Sequence, residues 1–188
     1  MKHGWESTRA PLFSQEECDD LCQYVDQKLL AEENEEGEEG AIECEQGDGV
    51  YGRIRVSDAD LSSRVKERLE TDMGDRHTIL PEHYTLNHMW FLTRYPTGGH
   101  LEPHCDGTIT SEDGTSVLTL LVYINDEFTG GHTSFLDDVN EEEEGCKLIE
   151  SVEPRKGHGL LLKQHVLHVG EAVSSGVKYM LRTDIMVR

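Results

Sequence analysis

After Pro81 the chain breaks into seven short apolar or β-branched runs: residues 88–95, 116–124, 132–136, 147–152, 159–163, 165–169 and 177–187. Clusters of Gly, Pro, Asp or Asn separate most of them, which is the signature of successive strands. Strands do not alternate with helices here, so a doubly wound parallel sheet is excluded. The pattern predicts an α+β chain whose core is a β-sandwich or jelly roll. Helices precede it. Ser14 and Glu17 make a capping box, and Cys18, Leu21, Cys22, Val25 and Leu29 then share one helical face. Leu61, Val65 and Leu69 signal a second helix, capped by Ser57 or Asp58 and placed to back a sheet.

The 188 residues carry 17 Lys and Arg against 38 Asp and Glu, a formal net charge of −21. Such a field repels nucleic acid and anionic membrane surfaces, so neither is an expected partner. The excess is local. Residues 32–48 and 137–144 together hold fifteen acids and no Lys or Arg, leaving 23 acids against 17 bases elsewhere. The first run cannot offset the entropy of ordering and reads as a solvated acidic loop, about 31–50; the second reads as an exposed loop between strands. If these loops flank a binding site, a basic peptide would be steered in at low salt.

Length fits one domain, with 1–83 as helical support and 84–188 as the strand core. The five cysteines include no CxxC pair, and their odd number opposes a disulfide framework. Cys18 and Cys22 share their stripe with Leu21 and Val25 and read as buried structural thiols. The first residues show no segment of signal-peptide length, and no run approaches a membrane span of about 20 apolar residues. The expectation is a cytoplasmic or nuclear monomer. Walker A and GxGxxG loops are absent.

Ten histidines are the chemical resource. His104 and Asp106 lie two apart in LEPHCDGT, so in an extended segment both point to one side while Cys105 points away. His168 lies within a later strand candidate. Two histidines and a carboxylate form the facial triad of non-haem Fe(II) oxygenases, which leaves positions open for cosubstrate and dioxygen. His100 and His104 have HxxxH spacing, but Gly98, Gly99 and Pro103 oppose a zinc-binding helix. His165 and His168 are an odd number apart, hence on opposite faces of a strand. His3, His77, His83, His88, His132 and His158 default to surface or loop positions.

With these residues in view, the chain resembles the prolyl 4-hydroxylase-like branch of the Fe(II)- and 2-oxoglutarate-dependent dioxygenases. The resemblance runs from about Leu86 to Arg188 through RYPTGGHLEPHCD, LLVYIND, GGHTSF, VEPRKGHGLLL and GVKYMLRTD, and less specifically through FSQEECDDLC. It implies a double-stranded β-helix (jelly roll) core backed by N-terminal helices. It also selects His168 over His165 as the third ligand. Fe(II), 2-oxoglutarate and O2 are the implied cofactors, with ascorbate as reductant and succinate and CO2 as coproducts.

In that family a basic residue of the last strand holds the distal carboxylate of 2-oxoglutarate. Lys178, ten residues after His168, has the matching spacing; Arg182, about 13 Å farther along the same face, is the substitute or a partner behind it. Tyr95 and Tyr123 match positions that hydrogen-bond the cosubstrate, against the alternative of core tyrosines with satisfied hydroxyls. Leu121 and Thr119 share the Tyr123 face and would line the methylene chain. Asp106 argues for hydroxylation, because related halogenases lack this carboxylate. The expected substrate is a peptidyl, prolyl-type residue. The alternatives are a free amino acid or small metabolite and, from another class, a metal-binding scaffold without catalysis. Oxygen-sensing relatives carry Arg at the Lys178 position, so their role does not transfer.

Overall fold

The computed structural model describes residues 4–32, 51–73, 79–111, 114–137 and 146–188. The two acidic runs lie outside these residues except for Glu32 and Asp137, as do His3 and His77.

Helix α1 (Gln15–Glu32) starts at the capping box: the Glu17 amide donates to Ser14 Oγ (3.2 Å) and the Ser14 amide to Glu17 Oε2 (2.8 Å). Arg68 of α2 (Ala59–Met73) donates to both oxygens of the same carboxylate, at 2.9 and 2.7 Å. Those bonds hold Glu17 down at about 2. Asp58 caps α2, accepting the Leu61 amide at 2.8 Å, whereas Ser57 ends a strand. The apolar stripe of α1 is buried as its spacing predicts, and burial pushes the Cys18 and Cys22 thiols up to about 11 and 12. Both remain inert structural groups.

The helices back a large antiparallel sheet of β1 (Trp5–Ser7), β11 (Gly159–Lys163), β7 (Gly114–Tyr123), β14 (Lys178–Val187), β4 (Met89–Tyr95) and β2 (Gly52–Ser57), in that spatial order. Two short strands, β3 (Thr85–Leu86) and β6 (Thr110–Ser111), pair with β14 and β7. A second sheet has the order β10 (Lys147–Val152), β9 (Thr133–Asp137), β12 (His168–Gly170) and β5 (Leu101–His104). A two-stranded ribbon joins β8 (Thr129–Gly130) to β13 (Val173–Ser175). The α+β jelly-roll reading is therefore correct.

Strand alternation divides the side chains of the large sheet into two cores. Leu118, Leu120, Val122, Leu161, Leu181 and Ile185 pack toward the helices. Leu121, Tyr123, Leu160, Leu162 and Met180 point the other way, to meet Phe135 of the second sheet. Full burial of one such leucine contributes about 2 kcal/mol. Trp90 is also fully buried on the helix side, and its indole N–H donates to Ser62 Oγ of α2 at 3.0 Å.

Two expectations change. The run 165–169 becomes a strand only at His168, because the Val166 amide closes a turn on the Lys163 carbonyl (3.0 Å). His165 lies exposed in that turn instead of on the opposite strand face. The stretch 1–83 supplies both edges of the large sheet as well as the helices. Its β2 signal, Arg53-Ile54-Arg55-Val56, is a period-two alternation too short and too charged to stand out.

Candidate active site

Strands β5 and β12 pair with His104 opposite His168, so register alone sets the two imidazoles side by side, with ring centroids 4.3 Å apart. Asp106 follows β5, its Oδ1 3.7 Å from His104 Nε2. One ligand atom from each of the three residues lies within 4.8 Å of the others. In both histidines Nδ1 faces a backbone carbonyl, Glu102 at 2.8 Å and Val166 at 2.9 Å. A ring nitrogen facing a carbonyl carries the proton, so each Nε2 presents its lone pair to the shared space. Burial also pushes the His168 pKa below its ordinary value, keeping it neutral. Two such nitrogens and a carboxylate oxygen suit Fe(II).

The carboxylate is oriented from behind. Thr119 Oγ1 of β7 donates to Asp106 Oδ2 (2.6 Å), and Arg182 Nη2 of β14 donates to Oδ1 (3.2 Å). Arg182 also bonds the fully buried Asp184 (3.4 Å), which accepts a further bond from Gln164 Nε2 (3.4 Å). Burial pushes the Asp184 pKa up, opposed mainly by the Arg182 charge. Arg182 is thus occupied by two carboxylates.

Lys178 has a different environment. It is 3% exposed, its ammonium lies 5.5 Å from the Tyr95 ring centroid and 5.4 Å from that of Tyr123, and it donates to the Gly131 carbonyl at 2.5 Å. Gly131 has φ of +67°, and a Cβ there would meet Lys178 Cδ at 3.3 Å, so glycine suits both the backbone and the fit. No carboxylate among the described residues pairs with this ammonium, and burial pulls its pKa down to about 8. Lys178, the triad and Arg182 all line one cavity of about 280 Å³ between the sheets.

A family model described as 2OG-Fe(II) oxygenase superfamily matches residues 90–183, half of the chain. The chain belongs to this superfamily. Its members are dioxygenases that use Fe(II), 2-oxoglutarate and O2, so this protein is an enzyme of that class. A search of curated proteins finds no significant match. Among solved structures, a viral collagen prolyl hydroxylase from Paramecium Bursaria Chlorella virus-1, in complex with 2-oxoglutarate, has 16% identity and a TM-score of 0.62, covering 98% of this chain and 96% of its own. A prolyl hydroxylase from Trichoplax adhaerens, in complex with a peptide fragment of hypoxia inducible factor, has 17% identity and a TM-score of 0.57, covering 98% and 84%. The carbocyclase SnoK from nogalamycin biosynthesis has 15% identity and a TM-score of 0.61, covering 98% and 79%. At these identities the likeness establishes the oxygenase fold alone.

The remaining expected site residues of this oxygenase divide. Tyr95 lines the cavity, and burial pushes its hydroxyl up to about 12. Tyr123 is more deeply packed, and its hydroxyl donates a hydrogen bond to Thr133 Oγ1 (2.8 Å). Thr119, expected along a methylene chain, is instead a partner of Asp106. Sequence reasoning missed Asp184, Gln164 and Arg53. Gln164 acts through partners 20 and 48 residues away, whereas Asp184 lies two residues from Arg182 on one strand face, a spacing that could have flagged it; Arg53 sits in the unrecognised strand β2. His83, His88 and His165 are exposed, and His100, His132 and His158 half-buried, none of them within the triad.

Proposed function

We propose that this oxygenase hydroxylates a C–H bond of a prolyl-type residue in a peptide, holding iron through His104, Asp106 and His168 and the distal carboxylate of 2-oxoglutarate through Lys178. The observation that carries this reading is the enclosed Lys178 ammonium, which faces the same cavity as the triad and has no carboxylate partner among the described residues. A buried cation requires an anion, and a dicarboxylate supplies one. Bound iron(II) would supply the oxidation, with O2 and 2-oxoglutarate giving succinate, CO2 and a substrate carrying one added oxygen.

The protein groups do the rest. The two Nδ1–carbonyl bonds fix the tautomer and tilt of the imidazoles. Thr119 and Arg182 keep Asp106 from rotating. Tyr95, Leu121 and Met180 form the wall that excludes water from the cosubstrate side. Arg182, already occupied by Asp106 and Asp184, supports the choice of Lys178 for the distal carboxylate. Ascorbate is the proposed reductant, and the free thiols of Cys18, Cys22, Cys105 and Cys146 support a reducing compartment, cytosol or nucleus.

Purified protein with Fe(II), ascorbate and 2-oxoglutarate should form succinate slowly without a primary substrate, and His104→Ala should abolish it. Absence of both turnover and a 2-oxoglutarate-dependent thermal shift with Mn(II) would overturn the reading. Mass spectrometry of peptides treated with active protein or with His104→Ala then identifies the target by its added oxygen.

A further inference from the structure

The wall of the cavity on the β2 side is cationic. Arg53 and Arg55 pair in register with Thr93 and Phe91 of β4, and alternation puts both on the cavity side of the large sheet, opposite Ile54 and Val56. Arg53 lines the cavity itself. Three guanidinium groups gather around one ring: Arg53, Arg55 and Arg182 lie 5.5, 5.4 and 5.7 Å from the Phe91 centroid. Arg53 also lies 4.9 Å from the Tyr51 ring.

Arg53 Nε and Arg182 Nε are both buried without a hydrogen-bond partner, but Arg182 has its two carboxylates, whereas no carboxylate among the described residues pairs with Arg53 or Arg55. Aromatic faces hold such cations in place without neutralising them. Like charges brought together this way, with an unused buried donor, complete themselves with an anion. Arg55 is exposed, so the shelf runs from the cavity wall to the surface. Strand β2 lies two strands from β14, about 10 Å across the sheet, so these two guanidinium groups stand apart from Lys178.

We propose that Arg53 and Arg55 hold a carboxylate of the primary substrate, so that the enzyme selects an anionic molecule: a peptide with an acidic residue beside its target, or a free amino or other small carboxylic acid. This rests on the oxygenase reading above and adds the charge of the substrate to it. It differs from the basic peptide that the acidic loops would steer in if they flanked the site. Guanidinium forks on a rigid strand bind carboxylate in a fixed orientation, which aims the neighbouring C–H bond toward the triad.

The test uses two matched pairs of probes on the Mn(II)- and 2-oxoglutarate-loaded protein: Ac-Ala-Pro-Asp-NH2 against Ac-Ala-Pro-Asn-NH2, and L-proline against L-prolinamide. Calorimetric titration should show tighter binding of the acidic member in at least one pair, and which pair responds distinguishes peptide from small acid. Arg53→Met should weaken the acidic probe roughly 10- to 100-fold and leave its amide partner unchanged. Arg53→Lys, which keeps the charge and loses the fork, should fall between. A retained 2-oxoglutarate-dependent thermal shift certifies that each variant is folded. If neither acidic probe binds more tightly than its amide, or if Arg53→Met weakens both equally, the shelf is not a substrate site. Loss of succinate formation in the wild type would instead sink the oxygenase reading on which the shelf depends.

Discussion

Replacing Lys178 by Met should make the ligand-free protein more stable while removing its grip on 2-oxoglutarate. Lys178 is fully enclosed, and burial lowers its pKa from 10.5 to about 8. That drop corresponds to about 3 kcal/mol of destabilisation when both folded and unfolded chains carry the charge. Losing the bond to the Gly131 carbonyl and the contacts with Tyr95 and Tyr123 offsets about 1 kcal/mol of the gain. Met fills a similar volume, so no cavity term enters. A net gain of about 2 kcal/mol raises the Tm of a chain this long by about 4–8 °C. The pH dependence gives a second, independent signature. Because the folded pKa lies below the unfolded one, the wild-type penalty is complete below pH 8, shrinks as pH rises from about 8 to 10.5, and vanishes above. The advantage of Lys178→Met should shrink over the same window. Thermal unfolding of both metal-free proteins at pH 7 and pH 10, with and without 2-oxoglutarate, measures all of this. A variant less stable than wild type at pH 7, or a gap that does not change with pH, would refute the picture of an enclosed, uncompensated ammonium.

Thr119→Val removes the 2.6 Å bond to Asp106 without changing side-chain shape, and should weaken Mn(II) or Co(II) binding about tenfold in a calorimetric titration; unchanged affinity would mean that Arg182 alone orients the carboxylate. Ser62→Ala strands the buried Trp90 indole N–H and should lower unfolding stability by about 1–3 kcal/mol in urea, with metal binding preserved, since the bond lies on the helix side of the large sheet.

The amino-acid sequence by itself determined the helix starts and most of the strands. Capping at Ser14 and Glu17 is local chemistry between residues three apart, and period-two alternation assigns faces along β7 from Leu118 to Tyr123 and along β14 from Lys178 to Ile185, up to the bulge that follows. It also determined that His104 and Asp106 share a side, because two residues of extended chain restore the same direction. What it left open required distances between segments far apart in the chain. Lys178 and Arg182 have the same charge and the same strand face, and no local rule separates them. Tertiary packing does: Asp106, 76 residues away, joins the neighbouring Asp184 on Arg182, while Tyr95 and Tyr123 enclose Lys178, which pairs with no carboxylate among the described residues. The same holds for Arg53, whose short charged strand acquires meaning only when β4 carries it to the cavity wall. Side-chain periodicity is encoded by neighbours in sequence. The partner that neutralises a charge, or fails to, is set by which strands the fold brings together.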